Sequence, residues 1–320
     1  MATSGSTNFT QTKSDVINDA FQNIGVYGLG RTISSEDFNF ASNTLNKMIK
    51  AWGSQGLHLW TREENTLFLT KDQASYTLGS TANACLASDA IITRLNGVLA
   101  ASATSVTVDS TTGMTVGDYI GIVLTSTAVH YTTIATIPTS TTLTLTSGIT
   151  TAASDNAEVY TFTTKISKPL RILGCRRAQG IDNGATTSLT EVEMAEISYY
   201  DYMNLPSKTN SGLPNQFAYD PTNTTGILYV WQRPTSGIYR LNFTSERMIE
   251  DLDAVGDNFD FPSEWLEPIT WQLSLRLCPA FGKDQKMINS IAPIAQSMLQ
   301  NLLDWDSEVT SVSLQPDIET

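Results

Sequence analysis

The hydrophobic period of this chain changes twice along its length, and that alternation limits the folds open to it. Val16, Ile17, Ala20, Phe21 and Ile24 recur at three-to-four spacing, and so do Phe38, Ala41, Leu45, Met48, Ile49 and Trp52. That spacing puts one apolar stripe on each of two helices. From Thr66 the repeat falls to two, and it stays short until about Phe243. Trp265, Leu266, Ile269, Leu273 and Leu277 then restore the helical repeat. Helix-patterned ends around a strand-patterned middle predict an α+β fold.

The helix ends are marked. Thr12-x-x-Asp15 and Ser34-x-x-Asp37 are capping-box-like starts, with Asp in place of the usual Glu. Gly25, Gly28 and Gly30 close the first helix and Gly53 the second, so the pair predicts an αα-hairpin joined by a glycine-rich turn. Further on, Phe261-Pro262 forces an extended approach, because the residue before proline is pushed out of the α region. Ser263 is then placed to cap a helix, and Glu264 and Glu267 complement its dipole. Pro268 falls in the first turn, where its missing N–H costs least. A last helix is expected over about 284–304, kinked or divided by Pro293.

Thr66–Thr70 and Ser75–Gly79 read as strands, and the pattern resumes only at Lys165–Leu173. Between them lie Ser105–Asp109, Asp118–Val123, Tyr131–Ala135, Thr142–Thr146 and Glu158–Phe162, short strands in a Thr-rich stretch. This spacing predicts a small β-barrel or sandwich over 81–162, inserted in a loop of a discontinuous core formed by 1–80 and 163–320. Gly226–Trp231 and Gly237–Phe243 read as two strands of a hairpin with its loop at Arg233–Gly237. Tyr199–Tyr219 reads as an irregular, polar-aromatic connection. Residues 1–11 read as an arm ordered by a neighbour, and 306–320 as a tail without period.

Composition narrows function by exclusion. Nineteen basic residues against 32 acidic ones give a net charge of -13, which opposes a grip on nucleic acid. No apolar run approaches the ~18 residues of a spanning helix, no secretory leader is visible, and a soluble product made in the cytoplasm is expected. Cys85, Cys175 and Cys278 are too far apart and too few for a zinc site or disulfide framework. The acidic series from Glu246 to Glu267 lacks calcium-loop spacing, and Gly25-Val-Tyr-Gly28-Leu-Gly30 lacks the strand and lysine of a phosphate loop. His58 and His130 stand without a nucleophile motif. No catalytic residue, cofactor or metal is expected. What remains are interface candidates: Trp52, Trp60, Trp231 and Trp265 as aromatic anchors, and Arg176 and Arg177, with Arg171, as a basic patch facing the acids of a neighbouring subunit.

Several stretches, in order, carry a resemblance. They are Asp15-Val-Ile-x-x-Ala-Phe-x-x-Ile-Gly-Val26, Leu45-Asn-x-Met-Ile-x-x-Trp52, Gly56-Leu-His-Leu-Trp60, Leu205-Pro-Ser-Lys208, Gly212-Leu-Pro214, Tyr219-Asp-Pro221, Tyr229-Val-Trp231, Asp260-Phe-Pro-Ser-Glu-Trp265 and Leu277-Cys-Pro-Ala-Phe-Gly282. Over about 12–80 and 165–305 the chain resembles the head-to-tail adaptor proteins of tailed bacteriophages, the tail accessory factors of short-tailed phages in particular. The stretch between is similar to small β modules of phage tail proteins, through Ala103-Thr-Ser-Val-Thr-Val-Asp-Ser110 and Val116-Gly-Asp-Tyr-Ile-Gly-Ile122.

The resemblance implies a helical adaptor core, the αα-hairpin plus C-terminal helices. It implies a homo-oligomeric ring of twelve copies at the head–tail neck of the virion. The ring would dock beneath the portal protein after DNA packaging and help retain the genome, and double-stranded DNA would pass through its lumen without sequence-specific binding. Its lower rim would carry tail nozzle, tube or fibre proteins, and the tail from about Glu308, with Leu314, would enter the portal. Two other classes fit the residues less well: a β-rich tail-tube or receptor-binding subunit, and a carboxylate-dependent glycan hydrolase built around Asp251–Asp260.

Overall fold

The computed structural model describes residue 5 and residues 9–53, 61–79, 81–179 and 190–305. Helices α1 (Lys13–Asn23) and α2 (Ser35–Gly53) come first. Strands β1 (Arg62–Phe68), β2 (Ser75–Leu78) and β3 (Ala84–Leu86) follow, then β4 (Ile91–Arg94), β5 (Ser105–Thr107), β6 (Tyr119–Val123), β7 (Val129–Thr136), β8 (Thr142–Leu145) and β9 (Glu158–Phe162). Next are β10 (Pro169–Gln179), β11 (Thr190–Glu193), β12 (Ala195–Glu196) and a short helix, α3 (Tyr199–Asn204). Strands β13 (Ser211–Gly212), β14 (Gln216–Pro221), β15 (Gly226–Trp231), β16 (Arg233–Pro234) and β17 (Tyr239–Arg247) precede α4 (Leu266–Leu277) and α5 (Gln285–Trp305). The chain is α+β, and its contacts divide it into a helical unit, 1–61 with 249–320, and a β unit, 62–248.

In the helical unit, Thr12 caps α1 reciprocally. Asp15 N–H donates to Thr12 Oγ1 at 3.3 Å, and Thr12 N–H donates to Asp15 Oδ2 at 2.9 Å. Ser34 accepts from Asp37 N–H at 3.2 Å ahead of α2. The apolar stripes of α1, α2, α4 and α5 meet in one core holding Phe21, Leu45, Trp52, Trp265, Leu273 and Ile291. Phe21 meets Phe281 edge-on at 5.0 Å, and Trp52 lies 6.1 Å from Trp265. One expectation fails locally, and of the two outcomes expected at Pro293 division does not occur. Ser263 does not cap α4: it begins a single 3₁₀ turn, Ser263–Trp265, after Pro262, so the extended approach is taken up by a tighter turn instead. Helix α5 is not divided at Pro293 but runs unbroken through it, held by its apolar face on the core.

The β unit contains a five-stranded antiparallel sheet, β11-β10-β17-β1-β3, and a four-stranded sheet, β12-β14-β15-β2. Their shared core includes Leu67, Tyr76, Cys175, Phe217, Leu228, Leu241 and Phe243. β15 and β17 lie in different sheets, so the expected hairpin at Arg233–Gly237 is a crossing between layers, with β16 pairing in parallel to β13. The Tyr199–Tyr219 stretch carries α3, β13 and part of β14 and is not irregular throughout. Short runs such as these two-residue strands have no period of their own to read.

Strands β4 to β9 pair in the order β4-β9-β6-β7-β8-β5. A bridge between Leu95 and Val108, with Asp109 N–H donating to Arg94 O at 3.0 Å, brings β5 back to β4 and closes a small barrel. Leu95, Val106, Ile120, Ile122, Ile134, Leu143 and Val159 fill it. A second apolar cluster seats the barrel on the five-stranded sheet. Phe68 of β1 stacks on Tyr160 at 4.5 Å and on Phe162 at 5.8 Å, both of β9. Gly237 N–H donates to Thr127 O at 2.8 Å, and a Cβ at Gly237 would fall 2.1 Å from Val129 Cγ2. Only glycine allows that approach.

Candidate functional site

The surfaces available for assembly follow from where the side chains go. Trp52 and Trp265 are 3% and 1% exposed and belong to the core of the helical unit. Trp231 is half-buried, its Nε1–H donating to Ser207 O at 2.9 Å. Trp60, Glu308 and Leu314 lie outside the described residues, as does His58. The structure brings Trp52 together with Trp265, and Arg176 and Arg177 onto neighbouring positions of β10.

Acids of the same chain face the basic patch. Arg171 holds Glu246 bidentately through Nε at 2.6 Å and Nη2 at 2.8 Å. Arg176 Nη2 lies 2.9 Å from Glu64 Oε2, and its Nε is 3.5 Å from Glu191 Oε2. Arg177 Nη1 donates to Pro214 O at 2.8 Å. β10 lies between β11 and β17, whose carboxylates fall in register with its arginines. The Glu246 contact draws the Arg171 pKa above its ordinary value through a charge-assisted hydrogen bond.

The acidic series is spent partly on local turns. Asp257 Oδ2 accepts from Ala254 N–H at 2.6 Å, Asp260 Oδ2 from Glu250 N–H at 3.3 Å, and Asp251 pairs with Lys50 at 2.8 Å. Among the described residues no cluster of three His, Cys, Asp or Glu side chains is placed to hold a metal ion. All three cysteines are buried, and burial pushes the Cys85 and Cys175 thiols up to about 12, away from the reactive thiolate. Within the helical unit an open groove of about 590 Å³ lies along α1 and α2, lined by Ser14, Asn18, Gln22, Arg31 and Asn39. Its polar walls suit a hydrated contact more than an apolar ligand.

Sequence reasoning missed one surface. Every side chain of β11 and β12 is exposed, at margins of the two sheets of the β unit. Beside them α3 presents Tyr199 and Met203, with Tyr200 75% exposed, while Tyr202 packs on Tyr229 at 4.8 Å. The run Thr190-Glu-Val-Glu193 does alternate, but four residues flanked by polar sequence are too short a signal to separate from loop.

A family model described as SU10 adaptor protein matches residues 89–309, about two thirds of the chain. The matched stretch takes in the barrel, both sheets' later strands, α4 and α5, and leaves out α1 and α2. No curated protein matches. Among solved structures, VP17, a capsid protein of bacteriophage P23-77, is 13% identical over 59% of this chain and 76% of its own, at a TM-score of 0.16. The VP16-VP17 complex, of the two major capsid proteins of bacteriophage P23-77, gives 11% identity over 57% and 82%, at a TM-score of 0.17. Scores that low do not define a shared fold, so the assignment rests on the family match. On that match the chain is a phage structural protein and belongs to the SU10 adaptor protein family.

Proposed function

We propose that this protein is a head-to-tail adaptor. Twelve copies form a ring that docks beneath the portal, extends the DNA channel, helps retain the packaged genome and offers its far rim to tail nozzle, tube or fibre proteins. The observation that carries the reading is the family match over residues 89–309. The net charge of -13 fits the role, because an acidic lumen lets a polyanion slide without gripping it. Trp52 and Trp265 pack inside the helical unit, and Trp60, Trp231, Arg176, Arg177, Glu308 and Leu314 remain the candidates for ring contacts. The β4–β9 barrel is an inserted module that faces other tail proteins, since its closed sheet presents side chains and not backbone edges.

Cryo-electron microscopy of complete particles, with and without a tag fused within the Thr139–Thr141 turn between β7 and β8, tests the placement. Extra density repeated around the neck is expected. Density confined to the distal tip of the tail would overturn the adaptor reading and favour a receptor-binding subunit.

A further inference from the structure

The margin at β11 is the part of the β unit built to accept another strand. Among the described residues β11 pairs with β10 on one side only, Glu193 opposite Arg176 and Val192 opposite Arg177. Met194 N–H donates to Cys175 O at 2.9 Å, which fixes the phase of the ladder. In an antiparallel pair the backbone bonds alternate inward and outward. Val192 therefore points its N–H and C=O at β10, and Glu191 and Glu193 point theirs away. All four side chains of β11 are exposed. Two other margins of the β unit are treated differently. The barrel closes on itself, and at β3 Ile166 N–H donates to Ala84 O at 3.0 Å, covering that edge.

Charge decides what can lie there. Glu191 and Glu193 line the margin, so β11 cannot pair with a second β11 without setting carboxylates against one another. The stretch 306–320 is excluded on the same ground, since it carries Asp306, Glu308, Asp317 and Glu319. Residues 1–12 carry no charged side chain and contain Thr7, Phe9, Thr10 and Thr12, residues that favour a pleated strand. Thr12 is itself extended and bridges Asn258 antiparallel, and Phe9, 69% exposed, is an apolar side chain without cover.

We propose that the exposed margin at β11 is a strand-addition site, and that its occupant is the arm formed by residues 1–12 of a second copy of this protein. Backbone hydrogen bonds to Glu191 and Glu193 supply affinity, and Phe9 settles against the exposed Val192 side chain. The idea rests on the proposed homo-oligomer for its biological setting, but the strand addition itself is testable without a ring.

The experiment uses protein lacking residues 1–9 and a synthetic peptide of residues 1–12, with hydrogen exchange read at individual backbone amides. The peptide is expected to slow exchange at Glu191 and Glu193 at least about fivefold while leaving the Val192 amide, already bonded to β10, unchanged. Glu193→Pro, which deletes only an outward N–H, is expected to weaken peptide binding about tenfold with unaltered circular dichroism. Equal protection by a peptide of residues 306–320, or none by the 1–12 peptide, would overturn the proposal. Should truncation prevent folding, full-length protein carrying Phe9→Cys and Val192→Cys in separate copies supplies the second test, an inter-copy disulfide under mild oxidation. Absence of that cross-link in an assembled oligomer would reject the arm while leaving the adaptor reading standing.

Discussion

The helical unit and the β unit are held together by different chemistry. The helical unit depends on aromatic packing, with Phe21, Trp52 and Trp265 all within one core, and buried polar side chains such as Gln272 and Ser274 bond to backbone carbonyls at 2.9 and 2.7 Å. The β unit instead buries polar side chains that bond across neighbouring strands and at the joint with the barrel. Asn65 Nδ2 donates to buried Ser245 Oγ at 2.8 Å, and Glu246, 1% exposed, is clamped by Arg171. Arg240, 4% exposed, lies by the joint between barrel and sheet with Tyr160 and Glu158. There Tyr160 Oη lies 2.6 Å from Glu158 Oε2 and 2.9 Å from Gly237 O, so one hydroxyl proton faces two acceptors. A core of apolar side chains tolerates neighbours of similar volume, whereas a buried ionic joint demands a particular partner. The first is suited to a stable scaffold and the second to fixing one module on another in a single register.

The largest effect is expected from Trp265→Ala. Removing the largest fully buried side chain leaves a cavity and should lower stability by about 3–5 kcal/mol, seen as a lowered denaturation midpoint with the helical signal lost first. Arg240→Met should follow at about 3 kcal/mol, because it leaves Glu158 with one fewer compensating charge in a buried joint. Its loss should be read in exchange of the β9 amides, with α1 and α4 unaffected. If both variants melted the two units together and equally, the contrast between them would be wrong.

Much of the helical half was legible because its signals are local. The Thr12 and Ser34 caps and the apolar stripes each lie within a few residues. The barrel strands β5 to β9 were also readable, since alternation such as Thr142-Leu-Thr-Leu145 is itself the pleat. Pairing across the chain was not. Nothing in Gly226–Phe243 reveals that β15 joins β2 while β17 lies between β1 and β10, since register is decided by partners far away in sequence. The arginine contacts were hidden for the same reason: Glu64, Glu191 and Glu246 reach Arg176 and Arg171 only through that register.

Acid should separate the units by sign. Hydrogen bonds from the Thr12 side chain and backbone lower the Asp15 pKa, so its contribution is complete above the ordinary carboxylate range and fades as pH falls through the depressed value. Thr12→Ala should cost about 1 kcal/mol near neutral pH and less in acid. Burial raises the Glu158 pKa, against the opposing effects of Tyr160, Arg240 and Arg94. Its folded state binds the proton more tightly, so that site is most favourable below the unfolded value and loses stability as pH rises through the raised one. Relative to wild type, Glu158→Gln should therefore gain stability as pH rises from about 4 upward. The smallest change belongs to Arg176→Gln, within about 0.5 kcal/mol, because both its ion pairs are open to solvent.

The most direct test of the adaptor account is native mass spectrometry of the purified protein, alone and mixed with its portal. The account predicts a species of low copy number alone that assembles to a fixed twelvefold multiple on portal rings. A protein that ignores the portal, or forms the same assembly without it, would contradict templated docking and leave family membership without the adaptor role.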